Sequence, residues 1–249
     1  MGMSVVILAA GKGTRMKSAK PKVLHQLAGI PLVGHVIASA KQLQPSSIHV
    51  IYGFGGDQVK SAINDDSITW VEQSEQLGTG HAVIQAMPGI PDENDVLILY
   101  GDVPLTQAST LQALAQGVEK SGFSLLTVNL EDPSGYGRIV RDKSGSVVKI
   151  VEQKDADFAT LQITEGNTGM MATRASLLKG WLNQLGNNNA QGEYYLTDVI
   201  ALAVAEGVNV ETFQPSYLEE VLGINDRLQL AQLEREYQVQ CANYFMTEG

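Results

Sequence analysis

The sequence predicts an α/β protein whose mostly parallel sheet is flanked by helices. Three observations carry that expectation. Residues 4–10 (SVVILAA) and 95–100 (DVLILY) are β-rich runs with almost no apolar–polar alternation, as in strands buried on both faces. Both stop at turn signals, Gly11-Lys12-Gly13 and Gly101-Asp102-Val103-Pro104. Between residues 4 and 130, strand-like and helix-like stretches alternate, as parallel crossover connections require. The 249 residues make one large domain or two small ones at about 150 residues per domain. A composition of 44% hydrophobic and 18% charged residues supports a sizeable core.

The elements follow in order. After the first strand, a helix is expected near 32–43 and a strand over 48–52. A short helix over 57–63, a strand over 68–71 and a helix over 78–87 come next. The buried strand 95–100 is followed by a helix near 109–120 and a strand over 124–129. From about residue 131 the style changes. Short strands over 137–140 and 147–151 are separated by Asp142-Lys143-Ser144-Gly145, a turn signal. A strand is expected over 167–173, with helices over 176–185 and 197–205. Over 226–244, Leu230, Leu233, Tyr237, Cys241 and Tyr244 are spaced for an amphipathic helix packed on the body. The reading is one domain whose second half adds a smaller lobe.

Charge is unevenly distributed. The net charge is −10, which argues against a nucleic-acid polymer as partner. Yet the first acid is Asp57, preceded by six cations: Lys12, Arg15, Lys17, Lys20, Lys22 and Lys41. Five of the six fall between residues 12 and 22, which suggests a small anion held locally. The longest unbroken apolar run is seven residues, Val199 to Ala205, far short of the ~20 that a membrane span needs. No basic region precedes the first apolar run, so no signal peptide is expected. A single cysteine, Cys241, allows no internal disulfide, and a cytoplasmic setting is expected. The four histidines show no metal-ligand spacing.

A strand, a glycine turn and cations together suit phosphate binding, because glycine lets backbone N–H groups approach the oxygens. No segment fits the P-loop pattern. The dinucleotide fingerprint needs glycine where Met16 stands and an acid ~20 residues on, and neither is present. What remains is Leu8, Gly11, Gly13, Thr14 and Arg15, followed by Pro21 and Lys22. This pattern resembles the signature of the sugar-1-phosphate nucleotidylyltransferases, which have a Rossmann-like fold. Further segments extend the match: Gln73 with residues 76–82 (QLGTGHA), 100–104 (YGDVP), 135–138 (GYGR), 151–155 (VEQKD), 167–169 (NTG), 188–198 (NNAQGEYYLTD) and 223–227 (GINDR). In order and over nearly the whole chain, they resemble the N-terminal uridylyltransferase domain of the bacterial bifunctional N-acetylglucosamine-1-phosphate uridylyltransferase/glucosamine-1-phosphate acetyltransferase family.

That resemblance implies a reaction. UTP and N-acetylglucosamine 1-phosphate would give UDP-N-acetylglucosamine and pyrophosphate, with Mg²⁺ as cofactor, for cell-wall and lipopolysaccharide precursors. It implies a division into residues 1–130, mainly for the nucleotide, 131–225, mainly for the sugar, and the helix of 226–249. Gly166 stands where the pattern has an aliphatic residue, which implies a looser loop. The hexapeptide repeats of an acetyltransferase β-helix are not found in these residues. An isolated N-terminal domain is expected, monomeric, whereas the full-length family member would be a trimer.

Site residues carry over one by one. Arg15 and Lys22 would neutralise the triphosphate, with Lys12 assisting, while Lys17 and Lys20 read as solvated charge. Asp102 ends a buried strand, where ligands of open α/β sheets gather, and with Asn225 would hold Mg²⁺. Asp102 also suits a turn before Pro104. Asn225 also suits a helix N-cap, a job that Asp226 can take instead. Leu8, Ala9, Ala10, Gly11, Gly13, Gln73, Gly78 and Thr79, with Tyr100 and Gly101, are carried over for the nucleotide. Gly137, Glu152 and Asn167 are carried over for the sugar. Rival readings are a cytidylyl-, guanylyl- or thymidylyltransferase of the same fold and a non-catalytic nucleotide-sugar sensor.

Overall fold

The computed structural model describes residues 2–249. Its strands are β1 (Met3–Leu8), the two-residue pair β2 (Gln26–Leu27) and β3 (Ile30–Pro31), β4 (Ser47–Tyr52), β5 (Ile68–Glu72), β6 (Asp95–Tyr100), β7 (Gly122–Asn129), β8 (Arg138–Arg141), β9 (Val147–Val151), β10 (Glu165–Arg174) and β11 (Asn209–Phe213). The helices are α1 (Leu32–Gln42), α2 (Gly56–Ile63), α3 (Thr79–Ala86), α4 (Ala108–Ser121), the single turn α5 (Phe158–Leu161), α6 (Ala175–Leu182), α7 (Asp198–Ala205) and α8 (Arg227–Glu248).

The main sheet runs β11-β7-β10-β6-β1-β4-β5, with β8 and β9 attached beside β10. Pairings β1–β4, β1–β6, β4–β5 and β7–β11 are parallel. The mostly parallel α/β sheet is as expected, with one departure. β10 lies between β6 and β7 and is antiparallel to both, so the strand–helix alternation is interrupted in space.

Helices cover both faces, which is why β1 lacks alternation. Val5 and Ile7 point to the side of α1 and α4, against Val36, Ile37, Leu111 and Leu114. Val6 points to the side of α3, α6 and α7, with Val83, Leu178, Trp181 and Val199. Successive side chains of a strand take opposite faces, so both layers demand apolar residues. A third cluster of Met16, Leu27, Leu32, Leu105, Ile224 and Leu233 joins the glycine turn to the base of α8.

Two expectations need correction. The first strand ends at Leu8, and Ala9 and Ala10 lie beyond it, although Ala9 N still donates to Ile51 O at 2.8 Å. Helix α8 packs through Leu233 but not through Tyr244, which is 61% exposed beside exposed Phe245 and Met246. At 1.5 Å per residue its 22 residues span ~33 Å, and its buried residue Leu233 lies in the first third, with Leu230 and Tyr237 partly buried beside it.

Candidate active site

The carboxyl ends of β1 and β6 lie side by side, with Gly101 N donating to Leu8 O at 2.9 Å. Beyond β1, the chain makes a single 3-10 turn over Thr14–Met16. Gly13, just before it, has φ +60°, and a Cβ there would lie 2.4 Å from Lys22 Cβ. Only glycine leaves room for the Lys22 stem to cross the turn. Met16 is fully buried beneath. Arg227 of α8 ties the turn down, donating from Nε to Met16 O at 3.0 Å and from Nη2 to Lys17 O at 3.1 Å.

The start of α8 separates the two jobs that Asn225 and Asp226 were competing for. Asp226 Oδ1 accepts from Gln229 N at 2.9 Å and caps the helix. Ile224 N donates to Asp102 O at 2.9 Å, fastening this loop to the end of β6. The Asn225 side chain therefore faces the cations. Its Oδ1 accepts from Arg15 Nη2 at 2.9 Å and from Lys22 Nζ at 3.1 Å, and Lys22 Nζ also pairs with Asp102 Oδ2. Four residues from three distant segments form one polar chain.

Asp102 and Asn225 suit a magnesium ion. Their two oxygens already converge on one cationic centre, the Lys22 ammonium. A carboxylate and an amide oxygen are hard donors, and such an ion completes its shell with water and phosphate oxygens. No group of three or more His, Cys, Asp and Glu able to hold a metal occurs among the described residues.

Lys22 and Asp102 border a cleft of about 320 Å³. Leu8, Ala9, Ala10 and Gly11 form one wall, and Gln73, Gly78, Thr79 and Tyr100 also line it. Gly101 and Gly13 do not line it: Gly101 is buried under Ala9, and Gly13 serves Lys22. Thr79 is partly committed elsewhere, its Oγ1 accepting from Leu196 N at 3.1 Å. Gly78 has φ +115° and sits against the Tyr194 backbone, which a Cβ would approach to 2.6 Å.

None of the residues carried over for the sugar lines this cleft. Asn167 N donates to Gly137 O at 2.8 Å, and Asn167 Oδ1 accepts from Gly169 N at 3.0 Å. The Gly137 backbone faces the Glu152 carboxylate, 3.4 Å from where a Cβ would stand. Glu152 Oε1 accepts from Thr197 Oγ1 at 3.0 Å, and Glu152 lines a separate shallow groove with Asp155, Asn189 and Asp198. Burial pushes the Glu152 carboxyl up; the Thr197 hydrogen bond opposes this. Tyr100 links the groups: burial first, then the charges of Glu152 and Asp102, raise its phenol. Gly166 lies within β10, paired with Val128 and Arg138, and a Cβ there would stand 3.3 Å from Tyr136 Cβ.

Several residues that matter here were not singled out as site residues from the sequence, although Gln76 stands in a segment that resembles the family's base-recognition loop. Gln76 and Glu193 line the cleft, and Arg227 anchors the turn. Lys12, Lys17 and Lys20 are exposed. Burial, then the charges of Lys20 and Arg227, lower the pKa of His25 beneath the turn.

Residues 5–180 match the family described as the MobA-like NTP transferase domain. The bifunctional protein GlmU of Marinobacter nauticus is 56% identical over 247 residues, covering 99% of this chain and 54% of that protein. Its counterpart in Pseudomonas fluorescens is 57% identical over 249 residues, covering 100% of this chain and again 54% of that protein. The chain thus spans about half the length of these curated relatives. Among solved structures, a UDP-glucose pyrophosphorylase complexed with UDP-glucose superposes with a TM-score of 0.77 at 15% identity, covering 96% of this chain and 100% of that one. A nucleotidyl transferase from Methanothermobacter thermautotroptrophicus gives 0.69 at 17% identity, covering 96% and 99%. Both share the fold. With its phosphate-suited turn, its cation cluster and a family match over more than half its length, the chain belongs to the MobA-like NTP transferase domain family.

Proposed function

We propose that this chain transfers a uridylyl group from UTP to N-acetylglucosamine 1-phosphate, giving UDP-N-acetylglucosamine and pyrophosphate. The observation that carries the reading is the contact chain Arg15–Asn225–Lys22–Asp102 at the border of a largely apolar cleft. The choice of substrates is supported by the resemblance of the motifs to uridylyltransferase domains and by similarity to bifunctional GlmU proteins over nearly the whole chain. Residues 1–130 would mainly hold the nucleotide and 131–225 the sugar, with Tyr100 between them. All these groups come from one chain, so a monomer suffices, and the charged metabolites suit a cytoplasmic setting. No helix among the described residues is long and apolar enough to cross a membrane.

The chemistry asks for charge control. A sugar phosphate oxygen attacks the α-phosphorus in line, and pyrophosphate leaves. A phosphate monoester has a second pKa near ~6 and is largely dianionic at neutral pH, so the nucleophile needs no general base. Arg15 bridges two phosphate oxygens with its planar fork as leaving-group charge grows. Lys22 turns its ammonium from Asp102 to the triphosphate, freeing two oxygens for a cation. Asp102 and Asn225 would hold Mg²⁺, which supplies further neutralisation of phosphate charge. Gln73 and Gly78 hold the base, while Glu152 and Asn167 receive the sugar hydroxyls and amide. Catalysis is positioning plus charge stabilisation.

The test is pyrophosphate release with each of the four nucleoside triphosphates, with and without N-acetylglucosamine 1-phosphate. The account expects release with UTP that depends on the sugar phosphate. Preference for another triphosphate would replace the uridylyl assignment, and no release with any of them would favour a sensor.

A further inference from the structure

The wall of the cleft opposite the glycine turn contains an amide held from two sides. Gln73 follows β5, its backbone N donating to Tyr52 O at 2.8 Å, and its side chain is only 3% exposed. Its Nε2 lies 3.0 Å from Gly78 O and 3.1 Å from Nδ1 of His81, in the first turn of α3. A backbone carbonyl only accepts, so the atom facing Gly78 O is the NH₂ group. The amide oxygen must then point the other way. Gln73 lines the cleft, and no described residue donates to Oε1.

The same contacts define the tautomer of His81. The second N–H of Gln73 points at Nδ1, which must offer its lone pair, so the proton of the neutral ring sits on Nε2. Gln85 Nε2 stands 3.2 Å from His81 Nε2 and 3.4 Å from His81 O. Turning that half-buried amide over places Oε1 against Nε2–H at the cost of the long 3.4 Å contact. The opposite tautomer would force Gln73 Oε1 against Gly78 O in a buried site, which costs more. The buried contact decides. The Tyr194 ring, 6.4 Å from the imidazole centroid at 35°, packs beside it.

We infer that His81 is a specificity-determining positioning residue: with Gly78 O, its Nδ1 clamps Gln73 so that the cleft presents a fixed acceptor to the base. The inference rests on the cleft being the base pocket proposed above. An acceptor there matches the N3–H of uracil. It opposes the N3 lone pair of cytosine, which would be satisfied only if the Gln73 amide turned over. UTP and CTP are nearly isosteric, so shape alone separates them poorly. A buried acceptor that cannot flip rejects CTP by leaving two lone pairs face to face.

The experiment compares kcat/KM for UTP and CTP in wild type, His81→Phe and His81→Asn, with thermal melts of each. Phe keeps a ring but offers no acceptor. Asn places Oδ1 about where Nδ1 stood. The UTP:CTP ratio should fall about fivefold to tenfold in His81→Phe, the scale of one neutral hydrogen bond. KM for N-acetylglucosamine 1-phosphate should stay unchanged, and His81→Asn should recover most of the ratio. An unchanged ratio in His81→Phe, or no recovery in His81→Asn, overturns the clamp. A wild type that does not prefer UTP overturns the base-pocket reading instead, so the two failures are distinct. Should His81→Phe not fold, nitrogen NMR of the wild-type protein decides. A proton-free Nδ1 with a protonated Nε2 supports the clamp, and the reverse tautomer overturns it.

Discussion

Alanine at position 13 should damage both stability and turnover, and alanine at position 11 should leave stability intact. Gly13 has φ +60°, where an L-residue costs about 1–2 kcal/mol. For a chain of this size that strain alone lowers Tm by ~2–8 °C. The new Cβ would stand 2.4 Å from Lys22 Cβ, and relief to ordinary contact moves the Lys22 stem by about 1 Å. A misplacement of ~1 Å can cost ~10²-fold in rate, so kcat should fall by about that factor. Gly11 is the control: a Cβ there has no atom within 4 Å. Its methyl group would enter the cleft that Gly11 lines, raising KM for the nucleotide while stability stays within ~0.5 kcal/mol of wild type. Melting curves and pyrophosphate-release kinetics on both variants make the comparison. Wild-type kcat in Gly13→Ala would refute the claim that this glycine exists to seat Lys22.

Arg15 is exposed, so Arg15→Ala should keep the wild-type Tm yet lower kcat by about 10²–10³-fold, or ~2.7–4 kcal/mol; Arg15→Lys should recover part, and a change confined to KM for UTP would count against leaving-group stabilisation. Asp102→Asn should fold but need more Mg²⁺ and lose most turnover, so near-normal rates in a Mg²⁺ titration would remove Asp102 from the ion. Glu152→Ala and Asn167→Ala should each raise KM for the sugar phosphate with UTP affinity close to wild type; equal loss of both affinities in titration calorimetry would place them elsewhere. His49 is 2% exposed and burial lowers its pKa below 6.5. The folded state favours the neutral ring, so its contribution is complete above pH 6.5 and declines as pH falls, by at most ~1.4 kcal/mol per pH unit. Urea midpoints between pH 7 and 5.5 should drop less steeply in His49→Asn, and an equal slope would point to other groups.

Much of the fold is legible because burial writes itself locally. β1 and β6 are covered on both faces, so their apolar runs and terminal glycines mark them without any partner in view. The insertion of β10 between β6 and β7 carries no such mark. Its ten residues read as a strand, and only long-range pairing decides which neighbours it takes and in which direction. Asp226 as cap was legible because Asx residues precede amphipathic runs. The spacing that marked Tyr244 as packed continued past the residues of α8 that pack on the body. At the site, the segments were legible chiefly through resemblance, and their meeting was not. Lys22 and Asp102 are 80 residues apart, and Arg227 supports the turn from 211 residues away. No pattern in one dimension reports that an arginine at a helix start will collect two carbonyls of the first loop. Glu193 and Gln76 stand inside recognisable motifs, but long-range packing brings Glu193 to the cleft through the Tyr194 backbone against Gly78 and Gly80, and Gln76 Nε2 is held there by donating to Gln73 O at 3.2 Å.

The central claim is that a sugar phosphate oxygen attacks the α-phosphorus of UTP in this cleft. It is tested most directly with N-acetylglucosamine 1-phosphate carrying a heavy-oxygen label on its phosphate, followed by mass spectrometry of both products. The account predicts UDP-N-acetylglucosamine that retains all of the label, including the bridging oxygen, and pyrophosphate that carries none. Label in the pyrophosphate, or failure to form the UDP-sugar while UTP and Mg²⁺ are present, would contradict it.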